Sequence, residues 1–256
     1  MAEIPHTDSD KMGMRLFGLI GFPITSSFSK RYFSEKFGKE QIENCRYDLF
    51  PLKSIDELPF VLERHPELEG LNVTIPYKKK VLSFLHISKI PPGLDACNCI
   101  NIEGGKLIGY NTDVNGFEKS LLSLLKTYHK KALVLGNGGA ASAVVFVLKK
   151  LGIEFEIVSR QIHSGSTLTY EQVGRSAITE NNLIINTTPL GMNPDTDTCP
   201  EIPYQFITEK HLLFDLVYNP AKTLFLQKGE ERGATIKNGE EMLVLQAEES
   251  WRIWNS

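Results

Sequence analysis

The segment Leu133-Val134-Leu135-Gly136-Asn137-Gly138-Gly139-Ala140-Ala141 constrains this chain most, because an apolar run passes into G-x-G-x-x-A and then into a helical pattern. A buried strand that turns sharply at glycine and feeds a helix opens a βαβ unit, the setting in which such glycines hold a dinucleotide. Gly136 permits the tight turn and Gly138 lets the backbone approach a pyrophosphate. The small Ala141 lets helix and strand pack closely, and Asn137, Gly139 and Ala140 complete the loop and first helical turn. Free N–H groups at the helix start then face the anion. The competing reading is a glycine turn that binds nothing, and the end of the next strand separates the two.

Around this unit the chain reads as α/β. Strands at Ala132–Leu135, Glu154–Ser159, Leu183–Asn186 and Leu212–Asp215 alternate with helices at Ala140–Leu151 and Thr223–Arg232, and residues 161–176 form a variable stretch. Upstream, strands at Arg15–Gly21, Cys45–Pro51 and Gly70–Ile75 alternate with helical patterns at Ser29–Phe37, Ile55–Arg64 and Lys78–Leu85. Ala96–Glu103 and Lys106–Gly109 form a hairpin around Gly104-Gly105, followed by a helix over Thr112–Thr127. The last helix, Glu240–Trp254, carries Met242, Leu243, Leu245, Trp251 and Trp254 as packing residues. The expectation is an α/β fold of two domains. Residues 14–114, completed by the helix at 238–256, make an N-terminal mixed-sheet domain, and 115–237 make a Rossmann-like doubly wound dinucleotide domain.

Composition excludes several classes. The 31 acidic and 28 basic residues are spread along the chain and leave a net charge of -3, which gives no field for a nucleic-acid backbone. No stretch approaches the ~20 apolar residues of a membrane span, and the polar start up to about Met12 reads as an extension without a leader's apolar core, so the cytoplasm is the expected location. Cys45, Cys97, Cys99 and Cys199 lack ligand spacing and read as packing residues, so no metal is expected.

The end of the strand after the glycine loop holds Ser159-Arg160 where an NAD site usually places Asp or Glu. An arginine matches a 2′-phosphate in charge and geometry, which favours NADP(H); a merely solvated arginine is the alternative. Three polar clusters follow strands in the first half: Ser26-Ser27-Phe28-Ser29, Asn72-Val73-Thr74-Ile75-Pro76-Tyr77-Lys78 and Asn111-Thr112-Asp113. Their short hydroxyls and amides suit a polyhydroxylated acid, although Ser29, Thr74 and Asp113 also stand where helix caps would. Lys78-Lys79-Lys80 taken alone is a solvated charge run, and only its place after Asn72-Val73-Thr74 singles out Lys78.

Together these blocks resemble the shikimate dehydrogenase family. The likeness includes Gly21-Phe22-Pro23-Ile24, Ala96-x-Asn98, Asn186-Thr187-Thr188-Pro189, Asp215-Leu216-Val217-Tyr218, and Asn238-Gly239 leading to Gln246-Ala247, in family order over roughly residues 16–254. The resemblance implies reduction of 3-dehydroshikimate to shikimate by NADPH in chorismate and aromatic amino-acid biosynthesis, by a monomer or homodimer, in a cleft that separates the N-terminal domain, which binds substrate, from the NADP-binding domain. It implies Lys78 and Asp113 as catalytic residues. It also implies Ser27, Ser29 and Tyr218 at the substrate carboxylate, and Thr74, Asn98 and Gln246 at the carboxylate or ring hydroxyls. Thr187, Thr188 and Gly239 match cofactor positions, Gly239 near the nicotinamide.

The chain departs from the family at Thr25-Ser26, where Gly or Ala followed by His is common, and at Phe28, where Lys is frequent. Ser159-Arg160-Gln161 stands for the usual Asn-Arg-Thr with no second basic residue just downstream, which leaves selectivity for NADP(H) less determined than activity. Two other readings stay open: a quinate/shikimate dehydrogenase preferring NAD, and a non-catalytic sensor that binds shikimate and cofactor without turnover. Retention of both Lys78 and Asp113 argues against the sensor.

Overall fold

The computed structural model describes residues 13–24, 27–162 and 165–256, so the terminal extension, Thr25 and Ser26 lie outside the described residues. The first sheet contains β1 (Arg15–Gly21), β2 (Cys45–Pro51), β3 (Leu68–Val73), β4 (Ile87–Ser88), β5 (Cys99–Glu103) and β6 (Lys106–Tyr110) in the order β2-β1-β3-β5-β6-β4. Helices α1 (Phe28–Lys39) and α2 (Leu58–Arg64) supply the crossovers that make β1, β2 and β3 parallel, while β5 and β6 return as an antiparallel hairpin. Strand alternation buries both faces of β1. Leu16 and Ile20 join Leu71 and Ile100 on one side, and Phe17 joins Phe33, Tyr47 and Trp254 on the other. The aromatic side is tightly stacked, with the Phe33 and Tyr47 centroids 4.8 Å apart and those of Phe17 and Trp254 also 4.8 Å apart.

After α3 (Asp113–Leu122), the second sheet contains β7 (Lys131–Leu135), β8 (Glu154–Ser159), β9 (Leu168–Thr169), β10 (Leu183–Asn186), β11 (Leu212–Asp215) and β12 (Thr235–Lys237). It is parallel throughout, in the order β12-β11-β10-β7-β8-β9, with α4 (Gly139–Lys150), α5 (Arg175–Glu180) and α6 (Leu224–Glu230) between strands. The fully buried β10 and β11 are continuous apolar runs capped by Asn186 and Asp215, as expected for strands covered on both faces. The order reverses between β7 and β10, so a crevice opens at the carboxyl ends of these strands, where open α/β sheets bind ligands.

Helix α7 (Glu240–Trp254) serves both halves. Met242 enters the core that holds Phe117 and Phe214, whereas Ala247, Ile253 and Trp254 pack against the first sheet. The Trp254 indole donates to the Ile100 carbonyl at 3.0 Å and ties the end of α7 to β5.

Three sequence expectations need correction. Instead of an α-helix over Lys78–Leu85, a 3-10 helix covers Lys80–Phe84, because the Lys78 carbonyl accepts the Cys97 N–H at 2.8 Å and Leu82 bonds to Lys79 instead. The strand expected from Ala96 begins at Cys99, since the Cys97 and Asn98 N–H groups bond to Lys78 and Tyr110. The helix expected to reach Thr127 ends at Leu122, and the variable stretch contains β9, a 3-10 turn at Tyr170–Gln172 and the start of α5.

Candidate active site

The chain leaves β3 through a turn in which Thr74 O accepts the Tyr77 N–H at 2.9 Å, and the Tyr77 hydroxyl donates to Leu52 O at 2.6 Å. This anchored turn presents Lys78, whose Nζ lies 2.6 Å from Asp113 Oδ2; the two side chains are only 19% and 12% exposed. Asp113 is free to make this contact because Asn111 Oδ1 accepts the Val114 N–H at 3.3 Å and does the capping of α3. A carboxylate in the first turn is also favoured by the helix dipole.

Behind the pair lies a buried hydrogen-bond network. Asn98 Nδ2 donates to Asp113 Oδ1 at 2.9 Å and to Thr112 Oγ1 at 3.0 Å, while its Oδ1 accepts the Thr112 N–H at 2.6 Å. Gln246 Oε1 lies 3.4 Å from Thr112 Oγ1, and Ser250 Oγ lies 3.2 Å from it. Asn72 Nδ2 donates to Ser250 Oγ at 3.0 Å, and Asn72 Oδ1 accepts from the Tyr47 hydroxyl at 2.8 Å. Burial holds the Tyr47 phenol well above its usual range, with the Ser29 hydroxyl acting against that shift. Bonds in such a low-dielectric chain reinforce one another. Lys78, Asp113, Asn98, Gln246 and Ser29 are thus linked by Tyr47, Asn72, Thr112 and Ser250, which had no assigned site role. One signal was available: Ser250 is a polar residue one turn after Gln246 on the buried stripe of α7.

Cys97 and Cys99 flank Asn98 without joining this chemistry. Burial pushes the Cys97 thiol up to about 12, against the pull of nearby Lys78, and raises Cys99 further. Both remain protonated near neutral pH. Among the described residues, no cluster of three His, Cys, Asp or Glu side chains could hold a metal ion.

Ser27 rather than Ser29 caps α1, accepting the Lys30 N–H at 3.4 Å. Ser27 also lines a cavity of about 460 Å³ with Phe28, Arg31, Tyr218 and Glu240, where α1 meets the loop after β11. Phe28 and Tyr218 meet edge to face with centroids 5.7 Å apart. Asp215 fixes the start of that loop. Its carboxylate accepts from Asn186 Nδ2 at 2.9 Å, the Val217 N–H at 3.0 Å and Thr223 Oγ1 at 2.5 Å, and burial raises its pKa to about 6. Gly239 lets α7 start against the same loop, since a Cβ there would fall 2.2 Å from Leu216 O.

At the glycine loop, Gly136 has φ +102°, and a Cβ would come within 2.8 Å of Thr187 Oγ1. Thr187 Oγ1 donates to Leu135 O at 2.8 Å and Thr188 Oγ1 to Asn186 Oδ1 at 2.7 Å, so these hydroxyls brace the loop from β10. Gly138 precedes α4 and offers no side-chain cap, and with the Ala141 N–H bonded to Gly138 O at 3.1 Å the N–H groups of Gly139 and Ala140 are the ones left for a phosphate. Gly136, Asn137, Gly138, Ser159, Arg160, Thr187 and Thr188 line one cavity of about 380 Å³. Ser159 Oγ donates to Gln161 O, and exposed Arg160 has no ion-pair partner among the described residues. This donor set fits a dinucleotide. A neighbouring cavity of about 530 Å³ has Lys79 and Asp95 on one side and Asn137, Gly138 and Ala141 on the other, so the glycine loop faces the first-sheet half.

Comparison with known proteins gives a consistent family. The family profile described as "Shikimate dehydrogenase substrate binding domain" matches residues 19–100. A shikimate dehydrogenase (NADP(+)) of Carboxydothermus hydrogenoformans is 35% identical over 94% of this chain and 91% of its own. A crystal structure of the Thermus thermophilus shikimate 5-dehydrogenase with NADP(H) and shikimate superposes with a TM-score of 0.82, at 28% identity over 94% of this chain and 93% of that one. The Listeria monocytogenes shikimate 5-dehydrogenase in complex with shikimate and NAD gives a TM-score of 0.84 at 26% identity, covering 94% and 92%.

Proposed function

The chain belongs to the shikimate dehydrogenase family, and from that premise we propose that it is an NADP(H)-dependent oxidoreductase that reversibly reduces 3-dehydroshikimate to shikimate, a step of chorismate and aromatic amino-acid biosynthesis. The observation that carries this reading is the Lys78–Asp113 contact of 2.6 Å, largely shielded from solvent and braced by Asn98. When bound, NADPH supplies the hydride. As the substrate's carbonyl carbon accepts it, negative charge grows on the oxygen; the Lys78 ammonium stabilises that charge and gives the oxygen a proton. Asp113 holds the ammonium in place, and the buried network fixes Asp113 in turn.

Ser27, Ser29 and Tyr218 hold the substrate carboxylate, and Thr74, Asn98 and Gln246 address the carboxylate or ring hydroxyls. The Thr74 and Tyr218 hydroxyls have no protein partner among the described residues, which supports a role toward ligand. The N–H groups after Gly138 take the pyrophosphate and Arg160 takes the 2′-phosphate. Gly239 opens α7 beside the nicotinamide end. The working division is residues 14–114 with 238–256 for substrate and 115–237 for cofactor. The enzyme acts in the cytoplasm as a monomer or homodimer; no helix among the described residues is long and apolar enough to cross a membrane.

The test is the absorbance of reduced cofactor at steady state with shikimate or quinate and NADP or NAD, in all four combinations. Fast reduction with shikimate and NADP is expected. Turnover favouring quinate moves the assignment to a quinate/shikimate dehydrogenase, and none in any pair points to a binding protein.

A further inference from the structure

A second cavity adjoins the glycine-loop cavity at Arg160, and a carboxylate lines it together with that arginine. β9 pairs with β8 so that Thr169 lies next to Ser159, and the chain turns at once through Tyr170–Gln172. A reciprocal cap fixes that turn: the Thr169 side chain takes the Gln172 backbone N–H, and Gln172 Oε1 accepts the Thr169 N–H at 2.8 Å. Glu171 is therefore held at the same sheet edge as Arg160. Both line a cavity of about 630 Å³ that shares Arg160, Tyr170 and Leu190 with the glycine-loop cavity.

The other charged residues lining this space are Asp197, Glu201 and Lys228. Lys228 is engaged elsewhere, with Nζ 3.4 Å from Cys199 Sγ and 4.9 Å from the centroid of the Tyr204 ring. Arg160 and Glu171 have no ion-pair partner among the described residues, so both charges remain available to a ligand. An arginine at this edge draws a 2′-phosphate, whereas a carboxylate accepts hydrogen bonds from a free ribose 2′-hydroxyl and repels the phosphate. Here the carboxylate comes from the end of the third strand of the unit rather than the second.

We propose that Glu171 is a specificity-determining residue for the dinucleotide: it offsets Arg160, so that the chain uses NAD as well as NADP and discriminates narrowly between them. The proposal rests on the dinucleotide reading above, and two measurements keep their failures apart. One is calorimetric titration of the substrate-free protein with NADP and with NAD; the other is the ratio of kcat/KM for the two cofactors at saturating shikimate.

The wild-type preference for NADP is expected to stay below about a hundredfold, and Glu171→Gln to raise it by about three- to tenfold, the scale of one exposed charge interaction. Arg160→Gln is expected to lower the preference by roughly tenfold or more. Glu171→Gln shifting both cofactors equally, or neither, overturns the proposal. If shikimate is not turned over but the titrations still show the shift, the proposed reaction fails while the role of Glu171 stands.

Discussion

On the proposed substrate side a chain of polar groups is already bonded together, from Lys78 through Asp113, Asn98, Thr112 and Ser250 to Asn72 and Tyr47, whereas the proposed cofactor side offers backbone N–H donors and an arginine with no ion-pair partner among the described residues. A small polar substrate must be oriented at one carbon, so its site needs groups that do not move when it binds. A pyrophosphate is recognised by charge and open donors, for which a glycine loop and a helix start suffice. Under the proposed function, specificity for the acid is spread over buried side chains from several elements, and specificity for the cofactor rests on a few residues at a sheet edge, where substitution costs little stability.

The largest effect that could break this contrast is at Lys78. Lys78→Ala is expected to reduce kcat by about a hundred- to ten-thousandfold while shikimate and NADP still bind in calorimetry. Unchanged turnover would remove Lys78 from the chemistry.

Asp215 is the exception on the cofactor side, a buried charge where the rest is open. Its folded pKa of about 6 lies above the unfolded value of 3.8, so the native state holds more protons between these values and stability from this group falls as pH rises through that window. Between pH 4 and 7 the wild type should lose roughly 2 kcal/mol more than Asp215→Asn in urea unfolding. Parallel curves for the two proteins would contradict the assignment.

Ser250→Ala sharpens the contrast from the other side. Loss of its hydroxyl leaves Asn72 and Thr112 short of a partner, which should cost about 1 to 2 kcal/mol of stability and raise the shikimate KM several-fold. The NADP KM should not change; a shift there would mean that the two sides are coupled. The smallest effect concerns Cys97 and Cys99, which should resist alkylation in the native protein while Cys45 and Cys199, both half-buried, react first by mass spectrometry.

How much of this was legible in the sequence follows the range of the forces involved. Strands β2, β8, β10 and β11 and helix α7 have the bounds their apolar periodicity implies, because burial of a face is written in neighbouring residues. β4 and β9 have two residues each and β12 has three, too short for any period, and they exist because an adjacent strand edge is there to pair with. The Lys78–Leu85 stretch has helical spacing, yet a carbonyl captured by Cys97 from a distant segment decides its form. In the site, Lys78, Asp113 and Asn98 stood out through local blocks, while the joining of Tyr47 to Asn72, and of Asn72 to Ser250 178 positions later, is a tertiary fact without a local signature.

The span of α7 has a consequence for synthesis. Gln246, Ser250 and Trp254 complete the first sheet's polar network and aromatic stack, yet they are made after every strand of both sheets. On the ribosome, β12 and with it the whole second sheet can close while the earlier-made half still lacks its final helix. The N-terminal half, usually the first to fold during translation, is here the one that waits.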